Sequence, residues 1–159
     1  MLALTDLSDK FDAPVDGLSR GMKQRLSISR VLLHDPDLDV RTEALLYLSR
    51  HAHVDPLSRV QDFADFPDHS VRSAVVAVLC RLGEGRMEAA EPMFAAMVAE
   101  AGEAGRKTRL EAARLAERMP LPFEESLRVL LKDEDAEVAR TAIRAVARAD
   151  PRPFASLLV

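Results

Sequence analysis

Four stretches of this chain carry the same stripe of small and apolar side chains, and that repeat limits the fold more than any motif does. DLDVRTEALLYL (Asp37–Leu48), DHSVRSAVVAVL (Asp68–Leu79), GRKTRLEAARLA (Gly105–Ala116) and DAEVARTAIRAV (Asp135–Val146) align without gaps, at steps of 31, 37 and 30 residues. Each has a cap-type residue, a Val or Thr three positions later, and apolar residues at +4, +5 and +8 from that one. The positions are Val40, Ala44, Leu45 and Leu48, then Val71, Val75, Val76 and Leu79. The later copies give Thr108, Ala112, Ala113 and Ala116, then Val138, Ala142, Ile143 and Val146. Those offsets share one face of an α-helix, and period-two alternation is absent, so each copy predicts a helix with one buried stripe.

Such a stripe needs a partner helix, and an apolar segment precedes each copy. Asp68 and Asp135 stand where an N-cap oxygen meets free backbone N–H groups. Pro56, Pro120 and Pro122 fall at helix starts or in connections. The spacing predicts helices over 19–34, 38–51, 56–64, 70–82, 87–100, 105–118, 123–132 and 136–148. The fold class expected is all-α, a short α-solenoid of about four helical hairpins.

Composition removes several classes of function. Hydrophobic residues make up 48% and charged residues 30% of the 159, which suits a globular domain. The longest apolar run, Ala74–Cys80, is far short of the ~18 residues a membrane span needs. Asp6, Asp9 and Asp12 close behind Met1 are unlike a signal peptide. Cys80 is the one cysteine, so no internal disulfide forms and a reducing, cytoplasmic setting is expected. A net charge of −4 argues against nucleic acid as the main ligand. Yet 18 of the 22 basic residues are arginine, the side chain suited to forked pairing between packed helices. Aromatic residues are only 4%, which leaves little to stack on bases.

The DPDxxVRxxAL pattern at Asp35–Leu45, echoed at Pro67–Val76, resembles HEAT repeats over about residues 35–159. The resemblance implies a right-handed stack with second helices along one concave side. It also implies an Asp–Arg ladder between neighbouring repeats, with Arg41, Arg72 and Arg109 as its basic half and Asp37, Asp68 and Asp135 as its acidic half. Gly105 and Ala139 interrupt that pattern. Its functional implication is a non-enzymatic interaction module for a protein partner the sequence does not name.

Residues 1–36 belong to another pattern. VDGLSRGMKQRLSISRVLLHDP (residues 15–36) resembles the signature segment of ABC-transporter ATPases, with Leu18, Ser19, Gly21, Gln24 and Arg25 matching LSxGxxQR. In that family the Ser and Gly sit at a helix start and touch the γ-phosphate of ATP held by the opposite subunit, a sensible use of free N–H groups. The remaining parts are missing. No G-x-x-x-x-G-K-[ST] loop occurs, and GEAGRKT at Gly102–Thr108 has the wrong spacing. After His34-Asp35-Pro36 the chain continues as repeat helix instead of an apolar strand ending in Asp-Glu. The chain therefore reads as a fusion, natural or made in the laboratory, with no ATPase activity and no cofactor expected. The helix over 19–34 would serve as first helix of the first hairpin, packed on Val40, Ala44, Leu45 and Leu48. Its Met22, Leu26, Ile28, Leu32 and Leu33 lie within roughly 160° of arc. Residues 1–17 should be less constrained. A recombined chain without evolved activity is a further reading.

Other residues invite sharper readings. His51, His53 and Asp55 form an H-x-H-x-D string with no second ligand cluster, so loop residues are expected there and no metal site. Cys80 follows the stripe residue Leu79 and lacks a nucleophile's context, so packing is expected. Glu124, Glu125, Asp133, Glu134 and Asp135 are explained by dipole and cap roles. Arg140, Arg144 and Arg148 recur at i, i+4 and i+8, either as a solvated face paired with Glu137 or as anion contacts, the nucleic-acid alternative. Arg152–Val159 reads as the start of another first helix. Its Phe154, Leu157, Leu158 and Val159 would leave an open, apolar solenoid end through which the chain forms a homodimer.

Overall fold

The computed structural model describes residues 7–34, 37–51 and 68–157, and among them the chain is all-α, without a strand. The helices are α1 (Arg20–His34), α2 (Leu38–His51), α3 (His69–Arg81), α4 (Glu84–Val98), α5 (Gly102–Arg118), α6 (Glu124–Leu131) and α7 (Ala136–Ala149). Short 3-10 helices occupy Ser8–Lys10, Val15–Gly17 and Arg152–Leu157. The helix expected over 56–64 lies outside the described residues.

Three of the four cap-type residues start their helices. The Asp37 Oδ1 accepts from the N–H groups of Asp39 (2.8 Å) and Val40 (3.3 Å). Asp68 does the same for Ser70 and Val71, and Asp135 for Glu137 and Val138. Each carboxylate satisfies donors that the first turn leaves free. The third copy departs from the expected register: α5 begins at Gly102, three residues before Gly105, after an Ala101 without a side-chain cap. Gly102 adopts φ +67°, the left-handed region open to glycine. Gly105 then falls inside the first turn, where a Cβ would lie 2.5 Å from the Glu100 carbonyl oxygen. Its glycine serves close approach rather than capping.

α2, α3, α5 and α7 pack side by side in sequence order, while α4 packs on α3, α5 and α6. Polar contacts fix the directions. Arg72, early in α3, reaches Thr108, early in α5, and Arg106 of α5 reaches Asp135 at the start of α7. Near the other ends, Arg144 of α7 binds Glu117 of α5. α3, α5 and α7 therefore point the same way. α2 does not: Arg81, the last residue of α3, binds Asp39, and Arg118, the last of α5, lies 3.5 Å from Asp37. α2 begins where α3 and α5 end, so the first hairpin is turned over relative to the uniform stack expected from the repeat.

The core follows this arrangement. All four stripe residues of α3 and all four of α5 are buried, with Val71 and Leu79 fully enclosed. Phe94 of α4 meets Phe123 at a ring separation of 5.4 Å and joins α4 to the start of α6. Two stripe residues are corrected. Val40 is 43% exposed, while Leu38, Arg41, Thr42, Ala44 and Leu45 are buried, so the buried face of α2 is rotated away from Val40. Ile143 is 42% exposed, because among the described residues no further helix follows α7 in the row.

Candidate interaction surface

The row α3–α5–α7 is held by polar rungs at recurring positions. Arg72 Nη1 donates to Glu100 Oε1 at 2.5 Å, and Arg109 Nε donates to Asp133 Oδ2 at 2.7 Å. Both arginines occupy the same position of their repeats, and both acids lie in the turn just before the next second helix. Arg109 also donates to the Glu100 and Gly102 carbonyls at 2.7 and 2.9 Å, so it ties three segments together. Its pair with Asp133 is closed from solvent, at 7% and 4% side-chain exposure. Burial pushes Glu100 upward, but hydrogen bonds from Arg72 and Thr108 outweigh it and hold the carboxyl below its ordinary range.

The ladder residues expected from sequence are brought into this system differently than their alignment implies. Arg72 and Arg109 take turn acids, while Asp68 and Asp135 cap their own helices. Asp135 joins a rung through Arg106, whose Nε donates to it at 2.6 Å, and that bond holds Asp135 below its ordinary pKa. Arg41 pairs with Glu111 of α5 at 2.8 Å, across the turned-over seam. Asp37 caps α2 and faces Arg118. Glu100, Arg106, Glu111 and Asp133 were not picked out as partners by the repeat alignment. For Glu100 and Asp133 the sequence signal is an acid in the turn before a second helix; Arg106 and Glu111, inside α5, carry no such signal.

The arginine row of α7 is exposed at Arg140, Arg144 and Arg148. Arg144 is committed: its Nε donates to Glu117 at 2.8 Å, and Glu117 is held below its ordinary pKa by that bond. Glu137, the expected partner of the row, instead binds Arg106.

At the other end, Ser19 Oγ accepts from the Met22 N–H at 3.2 Å and so caps α1. Leu18 is buried, and Gln24 Nε2 donates to the Tyr47 hydroxyl at 2.7 Å, joining α1 to α2. Arg25 is half-buried, its Nε enclosed without an acceptor. Gly21 is exposed, and nothing lies within 4 Å of where its Cβ would stand. Met22, Leu26 and Ile28 are half-buried, with Ile28 packed on the core. Within residues 7–17, Leu7 is buried, whereas Phe11 and Val15 are exposed.

Burial pushes the Cys80 thiol up to about 11, which keeps it protonated near neutrality and favours packing over nucleophilic chemistry. His53 and Asp55 lie outside the described residues. Among the described residues, no group of three or more His, Cys, Asp or Glu is placed to hold a metal ion, and no helix is long and apolar enough to cross a membrane. Arg152–Leu157 forms a 3-10 helix rather than the start of an α-helix. Phe154 is buried under the Arg128 guanidinium at 5.2 Å, and Arg128 donates to the Pro153 carbonyl. The segment thus folds back on α6; Leu158 and Val159 lie outside the described residues.

Over 52 residues, 33% of its length, the chain is 42% identical to the Nod factor export ATP-binding protein I of Rhizobium meliloti. The match spans 16% of that protein, a small fraction of its length. No family model matches the chain, and no solved structure does.

Proposed function

We propose that this chain is a HEAT-type interaction module carrying a signature-segment relic of an ABC-type ATPase at its start, and that it works by presenting a surface rather than by catalysis. The observation that carries the reading is the pair of equivalent rungs, Arg72–Glu100 and Arg109–Asp133, between parallel helices. Repeats coupled rung by rung make a stiff row whose outer face is free for a protein partner. The signature residues support a relic. Ser19 is used as a cap and Gln24 as a tether to Tyr47, while Gly21 meets no neighbour that demands glycine.

Two experiments test this. Thermal shift with Mg-ATP is expected to be flat, and a saturable micromolar response overturns the relic reading. Photo-crosslinking in the cytoplasm of expressing cells, from a reactive residue replacing Arg140 and from one replacing Glu125 of α6, tests the surface. One defined protein captured from position 140 alone supports the module; no position-dependent product favours a recombined chain without evolved activity.

A second reading, nucleic-acid binding along α7, is favoured by the exposed Arg140 and Arg148 and weakened by the Arg144–Glu117 pair. Duplex DNA affinity that falls steeply with salt would support it.

A further inference from the structure

We propose that the groove where α5 and α7 end binds a small amphiphile, an apolar chain carrying one carboxylate. A cavity of about 480 Å³ lies there, walled by Leu121, Leu127, Val146 and Phe154. All four are buried members of the main core, so the cavity is an inlet into that core. A second cavity of about 290 Å³ adjoins it, and the two share Ala116, Pro120, Ala145 and Ala149 as walls. The larger lobe falls within the ~300–1,000 Å³ of small-molecule pockets, and apolar walls with a few polar groups are typical of that class.

The apolar wall is fixed without a ligand. Arg128 donates to the Pro153 carbonyl and lies 5.2 Å from the centre of the Phe154 ring, which ties the 3-10 segment to α6. A preformed wall needs little ordering on binding, and loosely held water on apolar surface is displaced with a gain in affinity.

Charge sets the sign of the head group. The acids of the larger lobe are Glu124 and Asp150. Glu124 lies in the first turn of α6, where the free N–H groups favour a negative charge. Asp150 is taken by Arg152 at 2.8 Å, which holds its carboxyl down at about 2. The smaller lobe holds Glu117, Arg118 and Arg148. Arg144 takes Glu117 from outside both lobes, and Arg118 faces Asp37 and Asp39. Arg148 pulls on Glu117 through its field alone and makes no ion pair among the described residues. Glu117 repels a second carboxylate, and its bond to Arg144 offsets part of that. An apolar chain in the larger lobe therefore leads its carboxylate to the forked donors of Arg148.

Calorimetric titration of the full chain with decanoate, below its micelle concentration, tests the site. One saturable site is expected, weakened at least ~10-fold in Arg148→Gln, which removes charge-assisted bonds. Ala149→Leu, at the junction of the lobes, should abolish binding by filling it. Both positions are exposed, and an unchanged circular dichroism spectrum will verify that the fold persists in both variants. Arg140→Gln, outside both lobes, should leave binding unchanged. Hexanoate should bind at least ~10-fold more weakly, because it buries four fewer methylene groups. No saturable heat with decanoate, full binding by Ala149→Leu or by Arg148→Gln, or equal binding of decyltrimethylammonium overturns the proposal.

Discussion

The α3–α5–α7 row and α2, the second helix of the first hairpin, carry the same repeat pattern and are held in place differently. In the row, arginines at one repeat position reach acids at one turn position, and the central rung is closed from water. In the hairpin, Arg41 occupies the same repeat position but reaches Glu111 of a helix running the other way. The lesson concerns what a stripe encodes. Apolar residues at helical spacing say which face is buried, and reversing the helix leaves that face apolar. Direction is set by polar contacts and connections, which the stripe does not contain.

The largest expected effect separates the two regions by depth of pairing. Arg109→Ala leaves Asp133, 4% exposed, as an uncompensated buried charge and should cost about 3–5 kcal/mol. Arg81→Ala removes the pair to Asp39 on the hairpin's seam, which is 39% and 64% exposed, and should cost ~0–1 kcal/mol. Urea denaturation of both variants measures the difference. Equal losses would mean that the rung and the seam are energetically alike.

Backbone contact gives the next effect. Gly105→Ala puts a methyl group against the Glu100 carbonyl oxygen, and neither partner is a flexible side-chain end. The turn must shift, at a cost of ~1–3 kcal/mol. A neutral result by thermal unfolding would mean that α5 starts later than Gly102, in the register the alignment implied.

The turned-over direction of α2 is open to a sharper test. Arg41 and Glu111 should show a coupling energy of ~0.5–3 kcal/mol in a double-mutant cycle, as direct contacts do. Additive effects would mean that this pair does not hold α2 against α5.

Much of the fold was legible in the sequence because helix period and caps are local. The starts at Asp37, Asp68 and Asp135 and the stripes of α3 and α5 required nothing beyond neighbouring residues. What escaped was non-local. Gly105 aligned as a cap because glycine fits caps, whereas its role depends on the approach of Glu100. Val40 and Ile143 fit the stripe, but their exposure depends on which helix lies beside them. The ladder was legible as to its arginines and not its acids. An aspartate that only caps its own helix, such as Asp68, looks the same in sequence as Asp135, which caps and also takes Arg106 from α5.

Acid should weaken the row through those caps. Burial pushes Asp68 up, but bonds from the Ser70 hydroxyl and from the Ser70 and Val71 N–H groups outweigh it, so its folded pKa is lowered. A lowered carboxylate contributes stability that is present above the unfolded value, about 3.9, and is lost as pH falls through the folded one. Unfolding midpoints should therefore drop below about pH 4. Asp68→Asn, which can still cap, should flatten part of that dependence. An unaltered acid limb in that variant would mean that Asp68 makes no contribution to it.

The smallest effect carries the opposite sign and bears on the origin of the first helix. Gly21 lies in the first turn of α1, exposed, with nothing within 4 Å of the point where a Cβ would stand, whereas a Cβ on Gly105 would meet backbone at 2.5 Å. Two glycines in the first turns of two helices thus have opposite reasons to exist. In α5 the packing excludes a side chain. In α1 no neighbour in this chain does, and glycine carries only its entropic penalty relative to alanine. Gly21→Ala should stabilise the chain by up to ~1 kcal/mol, measured as a rise in the unfolding midpoint. A loss instead would show that Gly21 serves this fold directly, and the segment would then be an adapted part of the hairpin rather than a remnant of an ATP-binding ancestor.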